Sequence, residues 1–278
     1  MPELPEVETI ARGLAPQVTG RTILGVEVVR PSVLNVSGPD LADAVVGRTI
    51  EGVRRRAKLL ILDLDRPRHI VFHLKMTGRV WAGSRQEVPQ THTHVLFDLG
   101  EDTTLYFRDV RRFGYCRVLS TPALQDWDFF AGLGPEPLEC GCEDFLERIR
   151  GRRARIKGLL LDQRVVAGLG NIYVDEALHL AGIHPTQKAA DLSERRLAEL
   201  HRAVTTVLSK AIDLGGSTFR DFLNASGQPG NYQDEFMAYG RSGQSCKKCK
   251  ATLKAVRVAG RSSTFCPCCQ PSGSSGRP

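Results

Sequence analysis

The sequence predicts an α+β chain of several domains, with a β-sandwich or barrel first, a helical domain second and a small metal-binding hairpin last. Three observations carry that prediction. Short apolar stretches, often alternating and separated by Gly, Pro and Asp, fill residues 20–119, the pattern of half-buried strands. Helical periodicity takes over after Leu133-Gly134-Pro135-Glu136-Pro137-Leu138 and lasts to about residue 225. Five of the eight cysteines then crowd into residues 246–269. A length of 278 residues, with 25% charged and 41% apolar side chains, suits a multidomain globular chain.

Residues 5–16 read as a helix, because Pro5 suits an early helical position and Val7, Ile10 and Leu14 share one face. Strands are expected at Thr22–Val29, Lys58–Leu64, His69–Leu74, His94–Leu99, Thr104–Phe107 and Tyr115–Leu119. Helices are expected at Glu143–Gly151, Arg155–Asp162, Tyr173–Ala181 and Ser193–Leu214. Ser226-Gly227-Gln228-Pro229-Gly230 marks a loop, and the Pro/Ser/Gly-rich tail Pro271–Pro278 reads as disordered. The expected domains are 1–134, 135–235 and 236–270, followed by the tail 271–278. No internal repeat is visible.

The net charge of +7 points to an anionic partner, with nucleic acid the leading candidate. Its distribution sharpens the inference. Residues 1–134 hold 17 basic and 16 acidic side chains, whereas residues 135–278 hold 21 and 15. The last 38 residues carry 8 basic groups and no acidic one. Arg148, Arg150, Arg152, Arg153, Arg155 and Lys157 form a second cluster. One such run alone reads equally as a solvated helix face; two favour a nucleic-acid surface. No run approaches 18 apolar residues, which argues against a membrane-spanning helix. The start Met1-Pro2-Glu3-Leu4-Pro5-Glu6 is acidic where a signal peptide is basic. A soluble cytoplasmic protein is the expectation.

In that setting cysteines signal metal more often than disulfides. Cys246-x2-Cys249 and Cys266-x2-Cys269 are separated by 16 residues, the spacing of a four-thiolate structural zinc site. Leu253–Val258 and Ser262–Phe265 read as strands around an Ala259-Gly260-Arg261 turn, which makes a zinc-stapled hairpin. Four sulfur ligands leave no open position for catalysis. Cys268 sits between two ligands with only an x1 bite and is expected to remain a free thiol.

The other chemical group is the N-terminus. Pro2 follows Met1, and a small second residue favours removal of that methionine, leaving a secondary amine. An α-amino group has a pKa of roughly 7.7–8.0, so a useful fraction is unprotonated near neutrality. Attack by a secondary amine on a sugar's anomeric carbon yields an iminium ion, an electron sink that permits phosphate elimination. Glu3 and Glu6 lie beside it and can move protons. Taken alone, these acids read more simply as partners of the helix dipole.

The chain resembles the formamidopyrimidine-DNA glycosylase family in PELPEVET at the start, HLKMTG at 73–78, DVRRFG at 109–114 and LGPEPL at 133–138. The resemblance continues through VVAGLGNIYVDEALHLAGIHP at 165–185, GGSTFRDF at 215–222 and the cysteine module, all in family order from residue 2 to about 270. It implies a two-layered β-sandwich flanked by helices, a helix–two-turn–helix domain and a C-terminal zinc finger. It also implies a bifunctional glycosylase and lyase acting as a monomer on damaged double-stranded DNA. Such an enzyme flips an oxidised purine from the duplex, releases it and nicks the strand by β,δ-elimination. One structural zinc ion is implied, and no redox or nucleotide cofactor. The opening PELPEVET looks like the oxidised-purine branch; the alternatives are an endonuclease VIII-like enzyme for oxidised pyrimidines and a non-catalytic zinc protein that binds damaged DNA.

Residue roles follow from the resemblance. Pro2 would be the Schiff-base nucleophile, Glu3 the acid/base on the sugar, and Glu6 a support. Lys58 would be a general acid/base that also meets phosphate; alone it reads as one more exposed cation. Met76, Arg111 and Phe113 would fill the gap left by the flipped base, with Arg111 bonding the orphaned cytosine. Without the family, Met76 and Phe113 would read as core. His73, His92, Arg152, Lys157, Asn171 and Arg261 would bind phosphates. The glycines of Gly168-Leu169-Gly170-Asn171 permit close backbone approach at a helix start, although a plain helix cap explains them too. The chain departs from the family pattern at Val110, where Pro is common, at Lys250, where Gly is common, and at Asn231, where an aromatic is frequent.

Overall fold

The structure is a computed structural model that describes residues 2–84, 91–218, 223–225 and 227–272. The chain forms two compact units. The first comprises residues up to Ala131 together with Leu214–Asn231; the second comprises Gly132–Asp213 and the segment from Tyr232 onward. Residues 219–222 of the GGSTFRDF motif, Ser226 and the tail beyond residue 272 lie outside the described residues.

In the first unit, α1 (Leu4–Val18) precedes eight strands. Strands β1 (Gly25–Val28), β5 (Gly78–Ser84), β6 (Thr93–Asp98) and β7 (Thr103–Asp109) form one antiparallel sheet, ordered β1-β6-β7-β5. Strands β2 (Ile50–Arg56), β3 (Leu59–Leu64), β4 (Arg68–His73) and β8 (Tyr115–Ser120) form the other, ordered β2-β3-β4-β8. The sheets face each other across one core. Phe72 of β4 meets Phe97 of β6 edge-on at 6.3 Å and Phe107 of β7 at 5.3 Å. Val7, Ile10 and Leu14 of α1 enter the same core. The fold is a β-sandwich with flanking helices.

Strand β3 is buried on both faces. Its inner side chains Leu60 and Leu62 join the sandwich core, while Leu59 and Ile61 form a second cluster with Val71 and Leu124. That outer cluster is covered by α3 (Thr121–Gln125) and α4 (Asp128–Ala131), with Trp127, Phe129 and Phe130 packed on it. The sequence reading missed these helices and α2 (Gly38–Val45), and placed β2 and β5 only within its general strand region 20–119. β2 is the charged string IEGVRRR and β5 carries two glycines, so neither shows a clean apolar alternation.

In the second unit, α5 (Cys142–Ile149), α6 (Ile156–Leu161), α7 (Asn171–Ala181) and α8 (Glu194–Asp213) pack with the hairpin β9 (Lys254–Val258)–β10 (Arg261–Phe265). Helix α7 is buried along nearly its whole length, so it is the core element around which α8 and β10 pack. It stops at Gly182, whose φ of +65° suits glycine and lets the Ile183 N–H reach the Leu178 carbonyl at 2.9 Å. α6, the turns after it and α7 make the helix–two-turn–helix unit. No helix among the described residues is long and apolar enough to cross a membrane.

Candidate active site and nucleic-acid interface

The expected residues of the first unit gather around the start of α1 and three strand ends. Pro2, Glu3 and Glu6 are all buried. Glu6 Oε2 accepts the Glu3 N–H at 2.8 Å, which caps the helix. Glu6 Oε1 accepts the Ser217 N–H at 2.7 Å and the Ser217 hydroxyl at 3.1 Å. Gly216 makes this approach feasible: its φ is +80°, and a Cβ there would lie 3.0 Å from Glu6 Oε1. The Glu6 carboxylate therefore does more than complement the helix dipole: it ties the N-terminal residues to the loop that begins at Leu214.

Lys58 occupies the tight β2–β3 turn, where Ala57 has a φ of +53°. Its side chain is 7% exposed, so the reading of a freely solvated cation is wrong. One turn of α1 beyond Glu3, Glu8 accepts Arg55 Nε at 2.9 Å, holding the end of β2 against the helix. Burial works to raise the Glu8 pKa, but the hydrogen bonds and charges of Arg55 and Arg12 outweigh it and keep the carboxyl ionised. His73 pairs with Leu59 across the β3–β4 ladder and packs on Tyr115 at 5.4 Å and Phe129 at 6.1 Å. Burial, with help from the charges of Lys75 and Lys58, lowers its pKa to about 3. Its Nδ1 accepts the Lys75 N–H at 3.1 Å, so the neutral ring carries its proton on Nε2 and can donate it.

Met76 and Phe113 are exposed, at 38% and 56%, and neither belongs to the core. They sit on the 74–78 and 109–114 loops, joined by a residue to which the sequence reading gave no role. Asp109 is fully buried. It accepts the Thr77 hydroxyl, the Arg111 N–H at 3.2 Å and the Gly114 N–H at 2.6 Å. The carboxylate thus pins both loops, leaving Met76, Arg111 and Phe113 outward. Arg111 stacks over the Phe113 ring at 5.0 Å. Asp109 could have been found from its place as the one acid between a buried strand and the Arg-Arg pair. His92 is exposed, with its carbonyl bonded to the Asp109 N–H at 3.1 Å.

In the second unit, Asn171 begins α7 and donates from Nδ2 to the Ser262 carbonyl at 3.0 Å, next to exposed Arg261. Arg152 is exposed, and its carbonyl accepts the Ala190 N–H at 2.9 Å. Gln163 braces the Gly168 loop, accepting the Gly168 N–H at 3.0 Å and donating to the Leu169 carbonyl at 2.8 Å.

Lys157 requires a correction. It has no exposed surface and donates to Asp175 at 2.6 Å and to the Ser262 carbonyl at 3.3 Å. A side chain so placed cannot grip a phosphate. Asp175 also accepts the Thr264 N–H at 2.9 Å, so the pair fastens β10, and with it Arg261, to α6 and α7. Burial raises the Asp175 pKa to about 6, with Lys157 opposing the rise. Glu176, also missed, accepts the N–H groups of Met237, Ala238 and Tyr239 at 2.8–2.9 Å.

The ligand atoms of Cys246, Cys249, Cys266 and Cys269 all lie within 4.8 Å of one another. Zinc–sulfur bonds of about 2.3 Å in a tetrahedron fit such a cluster. Cys268 is exposed and outside it.

Three family descriptions match in succession. Residues 1–116 match the formamidopyrimidine-DNA glycosylase N-terminal domain, residues 133–223 its H2TH domain, and residues 243–271 the zinc finger found in FPG and IleRS. The chain belongs to the formamidopyrimidine-DNA glycosylase family. It is 44% identical over 272 residues to the formamidopyrimidine-DNA glycosylase of Hahella chejuensis, covering 97% of this chain and 100% of that one. The enzyme of the same name from Chloroflexus aggregans is also 44% identical, covering 97% and 98%. Among solved structures, a point mutant of Lactococcus lactis FPG in complex with Fapy-dG-containing DNA superposes with a TM-score of 0.91 at 36% identity, covering 98% of this chain and 100% of that one. The complex of the L. lactis protein with abasic-site DNA gives 0.90 at 36%, covering 97% and 100%. The cysteine cluster and the zinc-finger match together establish one structural zinc ion.

Two outcomes follow. Lys157→Ala leaves Asp175 buried and unpaired, so thermal or denaturant unfolding of the helical unit should show a loss of about 3–5 kcal/mol; an unchanged stability would remove the pair from the fold's supports. His73 should remain a neutral Nε2–H tautomer by 15N NMR at pH 5. Its folded pKa lies below its unfolded value, so its contribution to stability is complete above about pH 6.5 and declines as the pH falls toward 3. A ring protonated at pH 5 would contradict this assignment.

Proposed function

We propose that this protein is a bifunctional DNA glycosylase and lyase of base excision repair, acting as a cytoplasmic monomer on damaged double-stranded DNA. Its substrates are oxidised purines: 8-oxoguanine opposite cytosine, and formamidopyrimidines. The observation that carries the reading is the buried start of the chain, where Pro2 and Glu3 are held by a Glu6 carboxylate that itself bridges to Ser217. The functional division we assign is a catalytic sandwich over 1–134, a DNA-binding helical domain over 135–235 and a zinc finger over 236–270, although Leu214–Asn231 packs with the first unit.

Once Met1 is removed, the neutral Pro2 amine attacks the anomeric carbon. The glycosidic bond breaks, and the base leaves with the bonding pair and takes up a proton. Glu3 protonates the ring oxygen as the sugar opens, and loss of the amine proton leaves an iminium ion. That positive nitrogen acidifies the neighbouring carbon, so the 3′ phosphate and then the 5′ phosphate leave. Lys58 moves protons and meets a phosphate, and Glu6 keeps Pro2 and Glu3 in place. Met76, Arg111 and Phe113 occupy the gap in the duplex. His73, His92, Arg152, Asn171 and Arg261 bind phosphates, with His73 acting as a neutral N–H donor. Zinc ties the four cysteines together and so fixes the hairpin that presents Arg261.

Borohydride trapping tests the reading. A duplex with 8-oxoguanine opposite cytosine should give a covalent adduct, and a residue retained before Pro2 should abolish adduct and nicking while damaged-DNA binding largely survives. Normal adduct yield from a blocked terminus would remove Pro2 from its role, and an adduct only with oxidised thymine would make the enzyme pyrimidine-specific.

Binding should depend steeply on salt. With about six phosphates contacted, log K against log salt should slope at roughly −5, whereas a slope near zero contradicts a basic contact surface.

Cys268→Ser should retain one zinc by metal analysis. Cys266→Ser should lose it, and DNA binding and nicking with it, because metal binding supplies much of the folding energy of so small a module. Full activity in a zinc-free Cys266→Ser protein would refute this role.

A further inference from the structure

The first unit contains a cavity of about 450 Å³ in which only His92, one of its lining residues, has been given a ligand. Arg30, Ser32, His92, His94 and Arg112 line it, and no carboxylate is among the lining residues described. Arg30 Nε donates to Ser32 Oγ at 3.2 Å. Among the described residues, neither Arg30 nor Arg112 has an ion-pair partner. The nearby Asp109 carboxylate is fully buried and engaged by Thr77, Arg111 and Gly114. Two guanidinium groups therefore face one concavity, neither with an ion-pair partner among the described residues.

The frame of the cavity is rigid. The His94 carbonyl accepts the N–H groups of Val29 and Arg30 at 2.9 and 3.1 Å, and His94 Nε2 donates to the Asp109 carbonyl at 2.9 Å. One histidine thus joins the segment carrying Arg30 to the loop carrying Arg112. Burial lowers the His94 pKa; the hydrogen bond to the Asp109 carbonyl and the Asp109 charge oppose the shift, while the charges of Arg30 and Arg112 add to it. Arg112 has a φ of +61° and His92 one of +67°, conformations that a non-glycine residue holds only when its surroundings fix it.

We infer that this cavity seats a phosphate of the DNA backbone, gripped by Arg30 and Arg112 with His92 and Ser32 at its side. Forked guanidinium donors match phosphate oxygens in geometry and charge. A phosphodiester is favoured over a free anion because Arg112 lies between Arg111 and Phe113, the residues placed in the duplex gap. The inference rests on the proposed DNA-repair function and adds Arg30 and Arg112 to its contacts.

Methylphosphonate interference tests it. Each backbone phosphate of a duplex carrying a tetrahydrofuran abasic analogue opposite cytosine is neutralised in turn, on either strand, and Kd is measured for the parent protein and Arg30→Ala. In the parent, one phosphate beyond those answering to His73, Arg152, Asn171 and Arg261 should cost about tenfold when neutralised. Arg30→Ala should bind about tenfold more weakly and be indifferent to that one substitution, with the other penalties unchanged. Its salt slope should be shallower by about 1. Arg30→Lys should restore the slope and only part of the affinity. Unchanged affinity in Arg30→Ala, or the same penalty at every phosphate, overturns the seat. So does Arg30-dependent binding of inorganic phosphate, read by 31P NMR, when no duplex phosphate depends on Arg30. A parent protein that neither binds this duplex nor forms a borohydride adduct with the 8-oxoguanine duplex defeats the proposed function. One that does both while Arg30→Ala behaves identically defeats only the seat.

Discussion

A carboxylate taken out of water must find donors, and that constraint shapes the functional loops of both units. Leaving such a group without donors costs more than most single interactions return. Glu6, Asp109, Asp175 and Glu176 are each 3% exposed or less. Each collects N–H, hydroxyl or ammonium donors from segments distant in the sequence. Glu6 recruits Ser217, 211 residues away, and Asp175 recruits Thr264, 89 residues away. Glu176 takes three consecutive backbone N–H groups. The acids are scaffolding, and they release the cations and wedges nearby to face outward.

Among the described residues, Arg111, Arg152 and Arg261 have no acidic partner, and this arrangement explains why. Two ion pairs, Arg55–Glu8 and Lys157–Asp175, lie inside their units and fasten one element to another. Arg111, Arg152 and Arg261 remain exposed. A surface built to meet a polyanion gains from this separation: internal acids satisfied by backbone donors do not compete with phosphate for the arginines. His73 follows the same logic. Its desolvated ring stays neutral, so it can offer one directed N–H in place of a second diffuse charge beside Lys58.

Much of this was legible in the sequence, and the exceptions share a cause. The strands with apolar alternation, the four longer helices of the second unit and the cysteine hairpin each announce themselves through local pattern. β2 was legible only as part of a general strand region, because three arginines at its end mask its apolar alternation, and its bounds come from its pairing with β3. The covering helices α3 and α4 answer a need of β3 that appears only once the sandwich is assembled: a strand apolar on both faces needs a second layer. Lys157 misled because it sits in a run of arginines, and nothing local separates an inward lysine from its outward neighbours. Its partner Asp175 lies 18 residues on, across the turns between α6 and α7. Lys58 misled in the same way on its own pattern, and resemblance alone marked it out. Roles that depend on one residue's chemistry were visible, whereas roles that depend on what the fold brings to that residue were not.

The hairpin at the end of the chain shows why metal and ion pair are both required to place one arginine. Its own apolar cluster is small, with Leu253 packed among Cys246 and Cys266 and only Ala251 and Cys269 beside them. So little apolar surface cannot offset the chain entropy of ordering two strands and two turns. Zinc closes the turns, but closure alone leaves the hairpin free to rotate as a unit. Its orientation is set by contacts to the helical core: the Thr264 N–H on Asp175, the Ser262 carbonyl shared by Lys157 and Asn171, and Gln270 bonded to both the Cys266 N–H and the Ile183 carbonyl. Arg261 adjoins Ser262, so the residue that would meet phosphate stands next to the bond that orients the module. The basic cluster of the sequence thus divides into one lysine that holds the structure and the arginines it allows to face outward.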